Sequence, residues 1–186
     1  MPNWTQNIIT FGTDVSQERF EEVLLKVMRT DQTKMLHIFS SIVELKKACD
    51  EKQAQFDFNT LIPIPESEPE SAVVKWCRDN WGTKWNAQNT QVDWEDREIC
   101  FQTAGKEPDK IMTAFRKAFP DITFEWLYAA DDPAWGAGLA YAENGSLCFY
   151  EPPEFSPDAF EYYAECWGAS DNLYQDDEGI WHWEDV

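Results

Sequence analysis

Apolar positions recur most regularly between Arg97 and Tyr128, and their period changes twice within that stretch. Ile99, Phe101 and Thr103 alternate with Glu98, Cys100 and Gln102, the period of a strand with one buried face. Ile111, Met112, Phe115, Ala118 and Phe119 then fall on one side of an α-helix. Pro108 suits the first turn, where its missing N–H costs nothing. Pro120 ends the helix, and Arg116 and Lys117 complement the dipole in the last turn. Ile122, Phe124, Trp126 and Tyr128 next alternate with Thr123, Glu125 and Leu127, a second strand. If the two strands are parallel, they form a βαβ unit with a right-handed crossover.

The rest of the chain reads around this centre. Residues 4–11 predict a first strand, with Trp4, Ile8, Ile9 and Phe11 as its apolar members. Asp14 to Met28 predicts a helix with a stripe of Phe20, Val23, Leu24, Val27 and Met28 and a capping box from Asp14 and Gln17. Residues 33–53 fit a helix on length and charge, although Leu36 to Phe39 also fits a short strand. Phe56 to Ile64 is extended, and its prolines place it at an edge. Ser67 opens a helix with Glu70 as box partner, Val73, Val74, Cys77 and Trp81 as stripe and Gly82 as C-cap. Lys84 to Asp96 reads as a connector. Leu139 to Tyr150 predicts a hairpin turning at Asn144-Gly145, and Pro157 to Trp167 a helix closed by Gly168. The aromatic tail after Gly168 is expected to dock on the body.

A chain of 186 residues fits one domain, or one domain with an appended subdomain. Twelve Phe, ten Trp and six Tyr provide enough apolar surface for a core, so the acidity does not mean disorder. No apolar run reaches the roughly 18 residues of a membrane helix, and MPNWTQNIITFGT has neither the basic nor the apolar region of a signal peptide. Five scattered cysteines without CxxC spacing read as core thiols of a reducing cytosol. A cytoplasmic protein is therefore expected.

Charge changes the picture. The net charge is −20, with −4 in residues 1–120 and −16 in residues 121–186. Lys117 is the last basic residue. Such a charge repels nucleic acid and anionic membrane as direct partners. The acidic third has three readings: a solvated face, adaptation to high salt, or a surface complementary to a basic partner. The bases present before residue 121 argue against high salt, since halophilic acidity would be spread throughout. The residues that would carry the partner surface are Asp131, Asp132, Asp171, Asp176, Asp177, Glu178, Glu184 and Asp185.

Other chemistry is sparse. Trp81, Trp85 and Asn86 are candidates for a pocket that takes a small ligand or metal, weighed against core tryptophans. His37 and His182 have no Ser, Cys or Asp partner at short range, so no catalytic residues are assigned. Asp171, Asp176, Asp177 and Glu178 miss the spacing of a calcium loop. No zinc set, phosphate loop or nucleophile elbow is present, and neither metal nor cofactor is expected.

MPNW followed by Asn7, then FDFNTLIPIPE, WCRDNWGTKWNA, and CFQTAG before a helix leading into FPDITFEW, together resemble the YubB-type ferredoxin-like family of plasmids, phages and other mobile elements. The resemblance covers about residues 1–150. It implies an α+β ferredoxin-like sandwich, an antiparallel-rich sheet with helices on one face, and no established activity. Thr5 and Gly105 depart from the pattern, where Cys and Trp are expected. Residues 33–55 read as an insertion, and 151–186 as an acidic C-terminal extension docked on the body. With the charge, this gives the expectation of a non-enzymatic interaction protein of a mobile element. Its nucleic-acid-mimicking surface would bind, and inhibit, a host nucleic-acid-binding or defence protein.

Overall fold

The computed structural model describes residues 3–30, 37–132, 135–143, 146–168 and 172–184. In chain order the elements are β1 (Trp4–Phe11), α1 (Gln17–Val27), β2 (Met28–Thr30), β3 (His37–Ile38), α2 (Ile42–Asp50), β4 (Ala54–Phe56), α3 (Val73–Trp81), β5 (Gln88–Asp93), β6 (Glu98–Ala104), α4 (Asp109–Ala118), β7 (Phe124–Ala130), β8 (Gly138–Glu143), β9 (Ser146–Tyr150), α5 (Pro157–Trp167), β10 (Leu173–Gln175) and β11 (Trp181–Trp183). The fold is mixed α+β. Six strands form one antiparallel sheet in the order β5-β6-β1-β7-β8-β9. Two small sheets, β3-β2-β4 and β10-β11, flank it.

The β6-α4-β7 unit is present, with one difference from a simple βαβ. β1 lies between the two strands and is antiparallel to both, so β6 and β7 run the same way without touching. Strand parity sets the core. Asn7, Ile9 and Phe11 of β1, Ile99 and Phe101 of β6, and Phe124 and Trp126 of β7 are all buried, and they share one face. α1 and α4 cover it: Phe11 meets Phe20 at 4.8 Å and Phe115 at 6.2 Å between ring centroids, both edge-on. Phe56, from the small sheet, packs edge-on to Phe101 at 5.1 Å.

α5 occupies the opposite face, a position strand periodicity alone does not reveal. It packs against β7 and β1. The Trp167 indole donates to the Ala129 carbonyl at 3.0 Å. Cys166 feels Cys100, and Glu165 feels Glu98 and Glu125, all on that second face. The β10-β11 hairpin closes over α5, and Phe160, Leu173, Tyr163, Trp181 and Trp183 form a small core of their own.

Several local readings are corrected. The α1 N-cap is Ser16, whose hydroxyl accepts from Arg19 N at 3.2 Å, while the Asp14 carboxylate takes the Thr123 hydroxyl instead. The predicted Ser67–Glu70 box does not form. A short 3₁₀ turn, Glu70–Ala72, precedes α3, and Pro69 at its start offers no side-chain cap. Residues 84–96 hold a strand, β5, not only a connector. In 37–53, both alternatives occur in succession, β3 and then α2. Ile8 is only half-buried, and Thr5 and Asn7 take the buried positions of β1. The Asn144-Gly145 turn lies outside the described residues.

Candidate functional site: an acidic cavity at one end of the sheet

β6, β7 and β9 run in the same direction, so their C-terminal ends, and the chain just after each, meet at one end of the sheet. A cavity of about 600 Å³ opens there. Glu107 reaches it from the β6–α4 connection, Asp131 and Asp132 from the end of β7, and Glu151 and Glu154 from the chain after β9. Tyr128 and Trp135 form its aromatic wall, and Lys106 is its one basic member among the described residues.

The wall is built by close packing. Tyr128 is 2% exposed, and its phenol donates to Glu151 at 3.2 Å. Gly138 makes room for it, because a Cβ there would collide with the phenol ring. Burial raises the Tyr128 pKa, and Glu107 and Glu151 raise it further by disfavouring a phenolate. Burial also raises the Glu107 pKa. Lys106, 3.8 Å away, opposes the shift, while Asp109 and Glu151 add to it. Asp131 is held in place by β1: its carboxylate accepts from Trp4 N at 2.9 Å and its own N–H donates to Trp4 O at 2.7 Å.

A second anionic area lies on the α5 side of the sheet. Burial raises the Glu165 pKa, and Glu161, Glu98 and Glu125 raise it further as like charges. Among the described residues, no carboxylate after Asp121 forms an ion pair with Lys or Arg. Several of the late acids are thus close to one another and unpaired with Lys or Arg, although Lys106 borders the cavity that Asp131, Asp132, Glu151 and Glu154 line.

The structure sorts the sequence candidates. Asp131 and Asp132 share the cavity, and both act on the half-buried Tyr163 phenol of α5. Trp183 packs edge-on to Tyr163 at 6.5 Å, which sets the exposed Glu184 beside them in the chain. Asp177 and Glu178 are exposed at the β10–β11 turn. Asp176 is committed to that turn: Oδ1 accepts from Glu178 N and Ile180 N, each at 2.9 Å, and Oδ2 meets His182 Nε2 at 2.9 Å. These bonds to Ile180, His182 and Glu178 hold its pKa below the usual carboxylate range. Asp171 and Asp185 lie outside the described residues.

Trp81, Trp85 and Asn86 do not converge. Trp81 is a core anchor, 1% exposed, with its indole donating to Ile62 O at 2.8 Å. Trp85 is 42% exposed and leans on Trp4. Asn86 donates to the buried Asp57 at 2.7 Å and accepts from Phe58 N at 2.8 Å, pinning the FDFN turn. Glu107, Tyr128 and Glu151 are scattered over 44 positions of the sequence, and Pro108 after Glu107 and the proline pair after Glu151 are local punctuation that does not group them. His182 serves the hairpin, stacked on Tyr174 at 5.6 Å. Burial raises the thiol pKa of Cys49 and Cys100 to about 11, so neither is a ready nucleophile. Among the described residues, no group of three His, Cys, Asp or Glu is disposed to hold a metal ion. No helix among them is long and apolar enough to cross a membrane. No family model, curated protein or solved structure matches the chain.

Proposed function

We propose that this chain is a non-enzymatic binding protein whose anionic C-terminal third engages a positively charged protein surface. The observation that carries the reading is the absence, among the described residues, of any Lys or Arg ion pair to a carboxylate after Asp121. Asp121 itself is taken by Arg19 at 2.8 Å. Unneutralised carboxylates on packed elements keep their field for an incoming cationic partner and speed its approach.

The finer reading follows from the same surface. The order β5-β6-β1-β7, with α1 after β1 and α4 between β6 and β7, supports a ferredoxin-like core in residues 1–150, and residues 151–186 are its acidic extension. Joined to the YubB-type resemblance, this makes the target a nucleic-acid-binding or defence protein of a host, approached by a mobile-element product. Carboxylates displayed by α5, by the β10–β11 turn and around the end-of-sheet cavity would take the place of phosphates in a groove lined by Lys and Arg.

The test uses exposed acids and leaves Asp176 alone. A variant carrying Glu161→Gln, Glu165→Gln, Asp177→Asn and Glu178→Gln is compared with the parent as bait at low salt. The parent should retain a basic protein that elutes with rising salt and is displaced by duplex DNA, because exposed charges are screened. The variant, with an unchanged Tm, should lose it. Equal retention by both baits refutes the proposal.

A further inference from the structure

A second cavity, of about 510 Å³, opens beside the acidic one and has the opposite electrostatic character. Asn3, Gly105 and Lys106 border both cavities. Arg78, Lys84 and Lys106 supply the charge of the second, and no carboxylate among the described residues lines it. That is unexpected in a chain with 35 Asp and Glu against 15 Lys and Arg. Among the described residues, Arg78 and Lys84 form no ion pair, and Lys106 has only Glu107 at 3.8 Å. Three like charges gathered with Glu107 as the one paired carboxylate cost energy, and a bound anion lowers that cost.

Hydrogen bonds tie the floor of the cavity together. α3 ends at Gly82 with φ +88°, and a Cβ there would strike the Asp109 carboxylate. The buried Thr83 hydroxyl donates to Ala104 O at 2.9 Å, and Lys84 N donates to the same carbonyl at 3.2 Å. Gly105, at φ +97°, donates its N–H to Asn3 O at 2.8 Å, and the Lys84 stem passes over it, 3.6 Å from where a Cβ would sit. Gly82 thus accommodates the Asp109 carboxylate and Gly105 lies under the Lys84 stem, with the cations set around the cavity.

We infer that this basic cavity binds a small phosphate monoester. Arg78 offers a planar fork suited to two phosphate oxygens, and Lys84 and Lys106 offer point charges. Trp85 follows Lys84 in the chain but leans on Trp4 outside the cavity lining, so the phosphoryl group carries the recognition. The acidic cavity across Lys106 repels the phosphoryl group and fixes which side it enters. The inference is independent of the anionic-surface reading and survives its failure.

Isothermal titration of the full chain tests it with three probes: inorganic phosphate, a nucleoside 5′-monophosphate and the same nucleoside without phosphate. Measurements are made near physiological ionic strength, where the Debye length of about 8 Å mutes the distant negative charge. The monophosphate should bind and the nucleoside should not. Inorganic phosphate binding more weakly supports a nucleotide, and phosphate binding equally supports a phosphoryl group from any source. Arg78→Gln and Lys84→Gln should each weaken binding about tenfold, the loss of one charge-assisted hydrogen bond, while Glu154→Gln leaves it unchanged or stronger. All three variants change exposed or half-buried side chains, and an unchanged Tm confirms that the fold persists. No binding of phosphate or monophosphate, equal binding of nucleoside and monophosphate, or full affinity in both cavity variants overturns the inference.

Discussion

Replacing Asn7 by leucine should destabilise the fold by an amount that can be worked from its partners. Asn7 sits at 0% exposure in the central strand. Its Nδ2 donates to Thr5 O at 3.0 Å and to Thr103 Oγ1 at 3.1 Å, and its Oδ1 accepts from the Trp126 indole at 3.1 Å. Leucine keeps the number and branching of the side-chain heavy atoms and removes every one of these bonds. Thr103 retains its bond to Lys106 O, so its loss is an ordinary one, about 0.5–1.5 kcal/mol. The Trp126 N–H is left buried without an acceptor, at about 1–3 kcal/mol. Together the change should cost about 2–4 kcal/mol, or a Tm drop of about 5–15 °C for a chain of this size. Urea unfolding followed by far-UV circular dichroism gives the free energy without relying on tryptophan emission. The decisive comparison is made in a Trp126→Phe background, where the indole no longer needs its acceptor. There Asn7→Leu should cost about 1–2 kcal/mol less. The same cost in both backgrounds would show that the Asn7–Trp126 bond contributes nothing and that the reasoning is wrong.

Three further outcomes are expected. Burial raises the Glu107 pKa, so the folded state holds its proton more firmly than the unfolded state does; that contribution is complete below the unfolded carboxylate pKa and is lost as pH rises through the raised value. Glu107→Gln should therefore have a higher Tm than the parent at neutral pH and the same Tm near pH 4, and a constant gap across a pH series of melts would contradict it. Asp176→Asn should loosen the β10–β11 turn and admit proteolytic cleavage near Asp177, whereas Asp177→Asn should not; equal cleavage would remove the turn-holding role assigned to Asp176. Trp167→Phe keeps the ring and deletes its bond to Ala129 O, so amide exchange should accelerate in α5 by about 1 kcal/mol of protection while β1 is unaffected.

The contrast between what the chain displays locally and what only folding assembles is clear at particular residues. α4 was legible because Ile111, Met112 and Phe115 repeat within one helix and touch one sheet face. β5 was hidden because an edge strand of Gln88, Asn89, Thr90, Gln91, Val92 and Asp93, with a register shift in its middle, shows almost no apolar alternation. Asn7 could not be recognised as a core residue, since its acceptor role is defined by a tryptophan 119 positions away. The late acids were visible as a run without bases, but sequence could not distinguish Asp176, spent on a turn, from Asp177 beside it. Nor could it foresee that strand direction would gather Glu107, Asp131 and Glu151 at one mouth, or that Arg78, Lys84 and Lys106 would collect next door.

α5 has one more consequence. It covers the side of the sheet that carries Ile8, Leu127 and Ala129, with the last two almost wholly hidden. A chain cut after Tyr150 would uncover an oily slab on an otherwise well-formed sheet, and such molecules stick to one another. The helix that brings Glu161 and Glu165 to the outside is thus also a raincoat for the β-sheet beneath. A truncated protein that fails to bind a partner would report clumping as readily as missing charge, so charge must be removed side chain by side chain with the helix left in place.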